Sequence, residues 1–311
     1  MTTTMDEPVA TINVGSSERL RSRMAAMKLT FHWLGTKKSL NAEQMSRAAD
    51  AFDAERKFLS AGKKLFDTGD PDFRRVTAVK SQATTYYKSV SLPFPEPGFR
   101  LIRQDQVDTI HERMLAFREE LASAVQQLEI RFSELTMEAR DRLGDLFDPS
   151  DYPTSLSDSF EIEWTFPTVE APEYLRRLNP GLYQQECDRV RAQFDEAVRL
   201  AESAFVEELG KLIDHLAERL SGSTDGKIKV FRDTAITNFA DFFERFQSLN
   251  IGSNSDLDAL VDRARNVVSG VDPQTLRSSN GLRDRITNQL SSVQASLDGL
   301  MVDRPRRNII R

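Results

Sequence analysis

The chain has three histidines, His32, His111 and His215, and one cysteine, so the chemistry open to it is narrow. Asp108 and His111 stand three residues apart, and so do His215 and Glu218. On a helix that spacing puts both side chains on one face. Helical bundles hold metal ions with carboxylates and histidines that project from facing helices. If segments 104–147 and 182–220 were antiparallel helices joined through 148–180, Asp108, His111, Glu112, His215 and Glu218 would meet at one end. The seam positions at that level, Val107, Ile110, Leu212 and Leu216, are apolar, so the polar groups would only flank the seam. The simpler expectation is solvated helix faces with pairs inside each helix, and no metal. Neither HExxH nor a cysteine cluster is present.

Other chemistries fare no better. A phosphate loop needs spaced glycines followed by Lys and Ser or Thr. "LGTKKS" (34–39) has the later residues without the first glycine, and "SAGKKL" fails in the same way. There is no GxGxxG and no GxSxG. Cys187 sits between Glu186 and Asp188, whose charges disfavour a thiolate. No group of residues has both the types and the spacing that catalysis needs, so the chain reads as non-enzymatic and without a cofactor.

Cations offer one alternative. Residues 1–100 hold 16 Lys/Arg against 11 Asp/Glu, while the whole chain carries a net charge of −6. Lys37, Lys38, Lys63, Lys64, Arg74 and Arg75, with Trp33, Tyr86 and Tyr87 for stacking, would be the nucleic-acid contacts. That excess is mild for a basic binder, and ordinary solvated cations explain it more simply. The stretch 145–173 is the opposite, with eight carboxylates and no Lys or Arg.

The elements that would position these residues are mostly helices. Val107, Ile110, Met114, Phe117, Leu121, Ala124 and Leu128 repeat at 3-4 spacing, and Phe132 and Leu135 extend the stripe. Val190, Phe194, Ala197, Ala201, Phe205, Leu209, Leu212 and Leu216 form a second one. Such narrow seams resemble coiled-coil packing. At 1.5 Å per residue each helix is roughly 60 Å long. The two are expected to bury their stripes against each other as a long antiparallel hairpin. In the link, "FEIEWTF" alternates Phe160, Ile162, Trp164 and Phe166 against Glu161, Glu163 and Thr165, a strand stopped by Pro167. A lone strand is unstable, so it needs a partner. The strand signals near 29–34 ("MKLTFHWL") and 99–102 ("FRLIR") are the internal candidates.

Shorter helices are expected over "SLNAEQMSRAADAFDAERKFL" and "DPDFRRVTAVKSQATTYYKSV", over "SDLDALVDRARNVV" with Ser255 as N-cap, and around Leu282–Leu300. The resulting fold is mainly α, with a small α/β head and a few short strands. Its divisions are a tail (1–17), the head (18–103), the hairpin (104–220), a helical cover (221–302) and a basic tail (303–311). "VFRDTAITNFADFFERF" (230–246) carries five of the chain's nineteen phenylalanines. Ile236, Phe239, Phe243 and Phe246 share one helix face, which Phe242 widens. Phe231 would supply a staple, and Asp233 or Thr234 a cap. This face is read first as core, and second as a groove for a partner, together with Phe160, Ile162, Trp164 and Phe166.

"FHWLGTKKSL", "PEPGFRLI", "LGDLFDPSDYP" with "FEIEWTFPTV", and "VFRDTAITNF" with "LNI" resemble an uncharacterised helical family found on phages and plasmids. Its members are of the kind encoded beside a MoxR-type AAA+ ATPase and a von Willebrand A-domain protein. The resemblance spans most of residues 28–255, and its short motifs carry no catalytic residues. It implies an accessory protein of a mobile element, with an ATPase as the expected partner. There is no apolar run of eighteen residues, no secretory-signal pattern and no pair of cysteines for an internal disulfide. The reading is therefore a cytoplasmic assembly or adaptor protein that self-associates or binds a protein partner, with nucleic-acid association as the alternative.

Overall fold

A computed structural model of the chain describes residues 15–220, 234–271 and 273–302. The staple assigned to Phe231, the cap candidate Asp233 and the basic tail lie outside the described residues. Along the chain the elements are α1 (Ser16–Arg23), β1 (Met24–Trp33), β2 (Lys37–Ser39), α2 (Ala42–Ala51), β3 (Gly62–Lys64), α3 (Pro71–Ser89), β4 (Ser91–Pro93) and β5 (Phe99–Arg103). They continue with α4 (Val107–Leu143), β6 (Phe160–Thr165), α5 (Glu173–Leu178), α6 (Pro180–Leu220), α7 (Thr234–Leu249), α8 (Ser255–Val268), α9 (Pro273–Ser278) and α10 (Asn280–Val302). The fold is mainly α with small antiparallel sheets, as the 3-4 spacings and short alternating runs require.

Two compact units result. One holds the described parts of Met1–Ala26, Val90–Gln104 and Thr168–Arg311, and the other holds Met27–Ser89 and Asp105–Pro167. The expected head, hairpin and cover follow chain order, whereas each unit gathers segments far apart in sequence.

In the first unit α6 is the spine, packed against α1, α7, α8 and α10, with the β4–β5 hairpin beside it. Its buried positions include neighbouring pairs, Ala197 with Val198, Phe205 with Val206 and Leu209 with Gly210. Such pairs widen a stripe so that more than one neighbour can bury it. The phenylalanine face of α7 closes on this spine. Phe205 meets Phe246 at 4.9 Å and Phe242 at 6.3 Å between ring centroids, in edge-to-face contact. Arg245 pairs with Glu208 of α6 alongside. Asn254, not Ser255, caps α8, accepting from the amides of Asp256 and Leu257. Pro273 opens the short α9.

In the second unit α4 packs against α3 and β6. It buries one stripe from Ile110 through Phe117, Leu121 and Phe132 to Ala139. The expectation that α4 and α6 bury their stripes on each other gives way to this arrangement, in which each stripe is covered by elements of its own unit. Asp70 starts α3, its Oδ1 accepting from the amides of Asp72 at 2.9 Å and Phe73 at 3.2 Å. Tyr87 at the other end of α3 donates to the Met27 carbonyl at 2.6 Å. β1 and β6 are antiparallel, with Phe31 opposite Ile162 and Trp33 opposite Phe160. β2 and β3 form a ribbon in which Lys38 faces Lys63. α2 is capped by a reciprocal box between Asn41 and Gln44. It ends ahead of Asp53, whose φ of 48° breaks the helix, and Phe52 and Phe58 are exposed.

Candidate interaction site

Strand alternation builds the site. In β6 the side chains of Phe160 and Ile162 are buried and those of Glu161, Glu163 and Thr165 are exposed. Phe160 meets Trp33 at 5.0 Å and Phe73 at 6.5 Å, both edge-to-face. Trp164 is half-buried, and its indole Nε1 donates to Nδ1 of His111 at 3.0 Å. The Arg118 guanidinium lies 5.2 Å from the same ring. Phe166 falls just past the strand and is 42% exposed. On the outer face His32 Nε2 lies 3.2 Å from a Glu163 oxygen, while Glu161 stands exposed opposite His32 in the ladder.

Between β6 and the flank of α4 runs an open groove of about 700 Å³. Leu121 and Val125 of α4 and Phe160 and Ile162 of β6 give it an apolar lining, and Arg118, Gln126, Glu129 and Glu161 edge it. Ile130 lines it too and is 69% exposed. The turn entering β6 is fixed by Glu129, whose carboxylate accepts from the Leu156 amide at 2.5 Å. Ser159 then donates through its amide to the Leu156 carbonyl at 2.9 Å. β6 is an end strand of its sheet, and β1 is the strand that pairs with it among the described residues. Its second edge therefore carries main-chain donors and acceptors without a strand partner there.

A buried ion pair ties the segment that follows α4 to the β2–β3 ribbon. Lys63 and Asp151 have side chains only 4% and 3% exposed, and Nζ stands 2.6 Å from Oδ2. Lys63 also donates to the Leu146 carbonyl at 2.6 Å. Lys38, half-exposed, donates to Oδ1 of Asp151 at 2.5 Å. Burial by itself would raise the Asp151 carboxyl, but its contacts with Lys38 and Lys63 outweigh that and hold it below the ordinary carboxylate range. The same hydrogen bond raises the Lys38 ammonium. Gly62 permits the ribbon to close, since a Cβ there would come within 3.1 Å of the Lys38 carbonyl oxygen.

These contacts redistribute the residues singled out from sequence. Of the nucleic-acid candidates, Lys38 and Lys63 are committed to Asp151, so they add no free charge. Lys37 and Lys64 face each other at the exposed surface of the ribbon, and Arg74 and Arg75 are exposed on α3. Arg75 lies 3.5 Å from Asp72. Lys80 sits over the rings of Phe31 at 5.1 Å and Trp33 at 4.5 Å, which takes up the aromatic most suited to stacking. The metal alternative is not assembled. Asp108 and His111 belong to one unit and His215 and Glu218 to the other, and His111 already accepts from Trp164. Among the described residues no three His, Cys, Asp or Glu side chains gather as a metal would need. Phe239, Phe242, Phe243 and Phe246 are all buried, at 1–7% exposure, so they serve as core of the first unit and not as a docking surface.

Arg118, Glu129 and Ile130 escaped the sequence reading. Ile130 alone left a signal, a β-branched apolar residue out of phase with the stripe that continues from Leu128 to Phe132. Among the described residues no helix is long and apolar enough to cross a membrane. Compared with known proteins, the chain matches no family model, no curated protein and no solved structure.

Proposed function

We propose that the chain is a non-catalytic assembly or adaptor protein that engages a protein partner through the groove between β6 and α4. The observation that carries this reading is the groove itself: an apolar lining, an isoleucine left exposed within it, and a strand edge without a strand partner among the described residues. Exposed apolar surface rimmed by polar groups is the usual mark of an interaction site. The finer reading, a cytoplasmic accessory of a phage or plasmid working with an AAA+ ATPase, rests on the sequence resemblance alone. Nucleic-acid association loses ground because Asp151 takes two of the six cations proposed for it.

The test compares affinity capture from the native host by the wild-type chain and by Ile130→Arg, with bound proteins identified by mass spectrometry. A partner retained by the wild type and lost by the variant supports the reading. A partner held equally by both places the interaction elsewhere.

A further inference from the structure

We propose that the free edge of β6 takes up an extended peptide in which apolar residues alternate with Lys or Arg, adding it to the β1–β6 sheet as a further strand. This rests on the groove reading above and names the chemistry of its occupant. Three observations lead to it. The groove is bounded along one side by the edge of a strand, so an extended occupant can pair its main chain with β6, as peptides do when they extend a sheet. From Arg118 to Ile130 the α4 flank rises about 18 Å at 1.5 Å per residue, which matches five or six residues of strand at about 3.3 Å each. The two faces of β6 then dictate the sequence of the guest. One face of the added strand continues the apolar surface of Phe160 and Ile162 toward Leu121 and Val125. Its other face lies beside Glu161 and Glu163, both exposed, where opposite charges across a ladder are favoured and like charges disfavoured.

The same rule argues against a second copy of this chain as the occupant. Two β6 strands pairing edge to edge about a two-fold axis normal to the sheet keep equivalent faces together. Glu161 and Glu163 of one copy would then face the same carboxylates of the other, in a region, 145–173, that holds eight carboxylates and no Lys or Arg. A guest rich in Lys or Arg removes that repulsion, and its alternating apolar residues use the lining that a second acidic strand would also need.

The experiment titrates the full chain with a hexapeptide alternating lysine with valine, with the same peptide carrying glutamate for lysine, and with the lysine peptide N-methylated on alternate amides. Binding is read by calorimetry, and its position by hydrogen exchange of the amides of 160–165. The lysine peptide is expected to bind and to slow exchange in β6, with the glutamate peptide at least tenfold weaker. N-methylation of the amides that face β6 should abolish binding, and the double substitution Glu161→Lys with Glu163→Lys should reverse the preference between the two charged peptides. Equal affinity for the lysine and glutamate peptides overturns the proposal, as does binding without protection of β6. So does protection of β6 that appears with protein concentration alone, which would identify a second copy as the occupant. If Ile130→Arg abolishes partner capture while none of the peptides binds, strand addition falls and the groove reading stands. If Ile130→Arg also leaves capture unchanged, both fall.

Discussion

α4 and α6 are close in length, 37 and 41 residues, and carry similar apolar repeats, yet their surroundings differ. α6 buries adjacent pairs such as Phe205 with Val206 and is covered by α1, α7, α8 and α10. α4 buries a single file of residues against α3 and β6, and leaves Ile130 and Met137 exposed at 69% and 61%. The width of the buried stripe, more than its length, records how many neighbours a helix has. The first unit spends its phenylalanines on closing a core. The second leaves one flank of its long helix open beside a strand edge, and that is where an interaction surface is expected.

The contrast can be broken most forcefully in the first unit. Phe242 is 1% exposed and touches Phe205, Phe243 and Phe246. Replacing it with alanine removes buried area and leaves a cavity, at a cost of about 4 kcal/mol. A thermal melt should show the loss as a large fall in Tm. Were Phe242→Ala to melt like the wild type, α7 would not be core.

In the second unit the buried ion pair offers the next effect. Asp151→Asn leaves the Lys63 ammonium buried without its counter-charge, at a cost of about 3 kcal/mol near neutral pH. Denaturant unfolding read by the fluorescence of Trp33 and Trp164, both in this unit, measures it. A smaller, pH-dependent effect follows from the same group. Its folded-state pKa is depressed, so the stabilisation is fully present above about pH 4 and is lost as the pH falls through the folded value. The gap between wild type and Asp151→Asn should therefore shrink on acidification below about pH 4. A gap that stays constant would show that the carboxylate charge is not what the contact uses.

Smallest in stability is Ile130→Arg. The residue is exposed, so the change should stay within about 0.5 kcal/mol while filling the groove with a charged side chain. A large destabilisation would mean that Ile130 belongs to the core and that the groove is packing, not docking surface.

Much of this architecture was legible in the sequence. The stripes of α4 and α6 and the alternation of "FEIEWTF" specified two long helices and a strand, and β1 was correctly among the partners named for β6. What periodicity cannot supply is the identity of the neighbour. Leu121 and Leu209 repeat in the same manner, yet one is covered by elements of the second unit and the other by those of the first. Lys63 read as a solvated lysine because its burial depends on Asp151, 88 positions away, and on a ribbon that pairs it with Lys38. The helix expected over 39–59 ends early because the stop at Asp53 depends on a left-handed backbone at a residue that tolerates it. The groove was half legible: Phe160 and Ile162 were named, whereas Glu129 and Ile130 lie on the side of α4 that the stripe does not describe.

The measurement that bears most directly on the contrast between the units takes Phe243→Ala and Ile130→Arg side by side, each scored for Tm and for capture of the native partner. Phe243 is 7% exposed and meets Phe239 and Phe242 in tilted and edge-to-face contacts. The account predicts that Phe243→Ala lowers the Tm sharply, while Ile130→Arg melts like the wild type and loses the partner. A Phe243→Ala protein that folds normally and loses its partner, beside an Ile130→Arg protein that keeps it, would contradict the account and move the interaction surface to the phenylalanine helix.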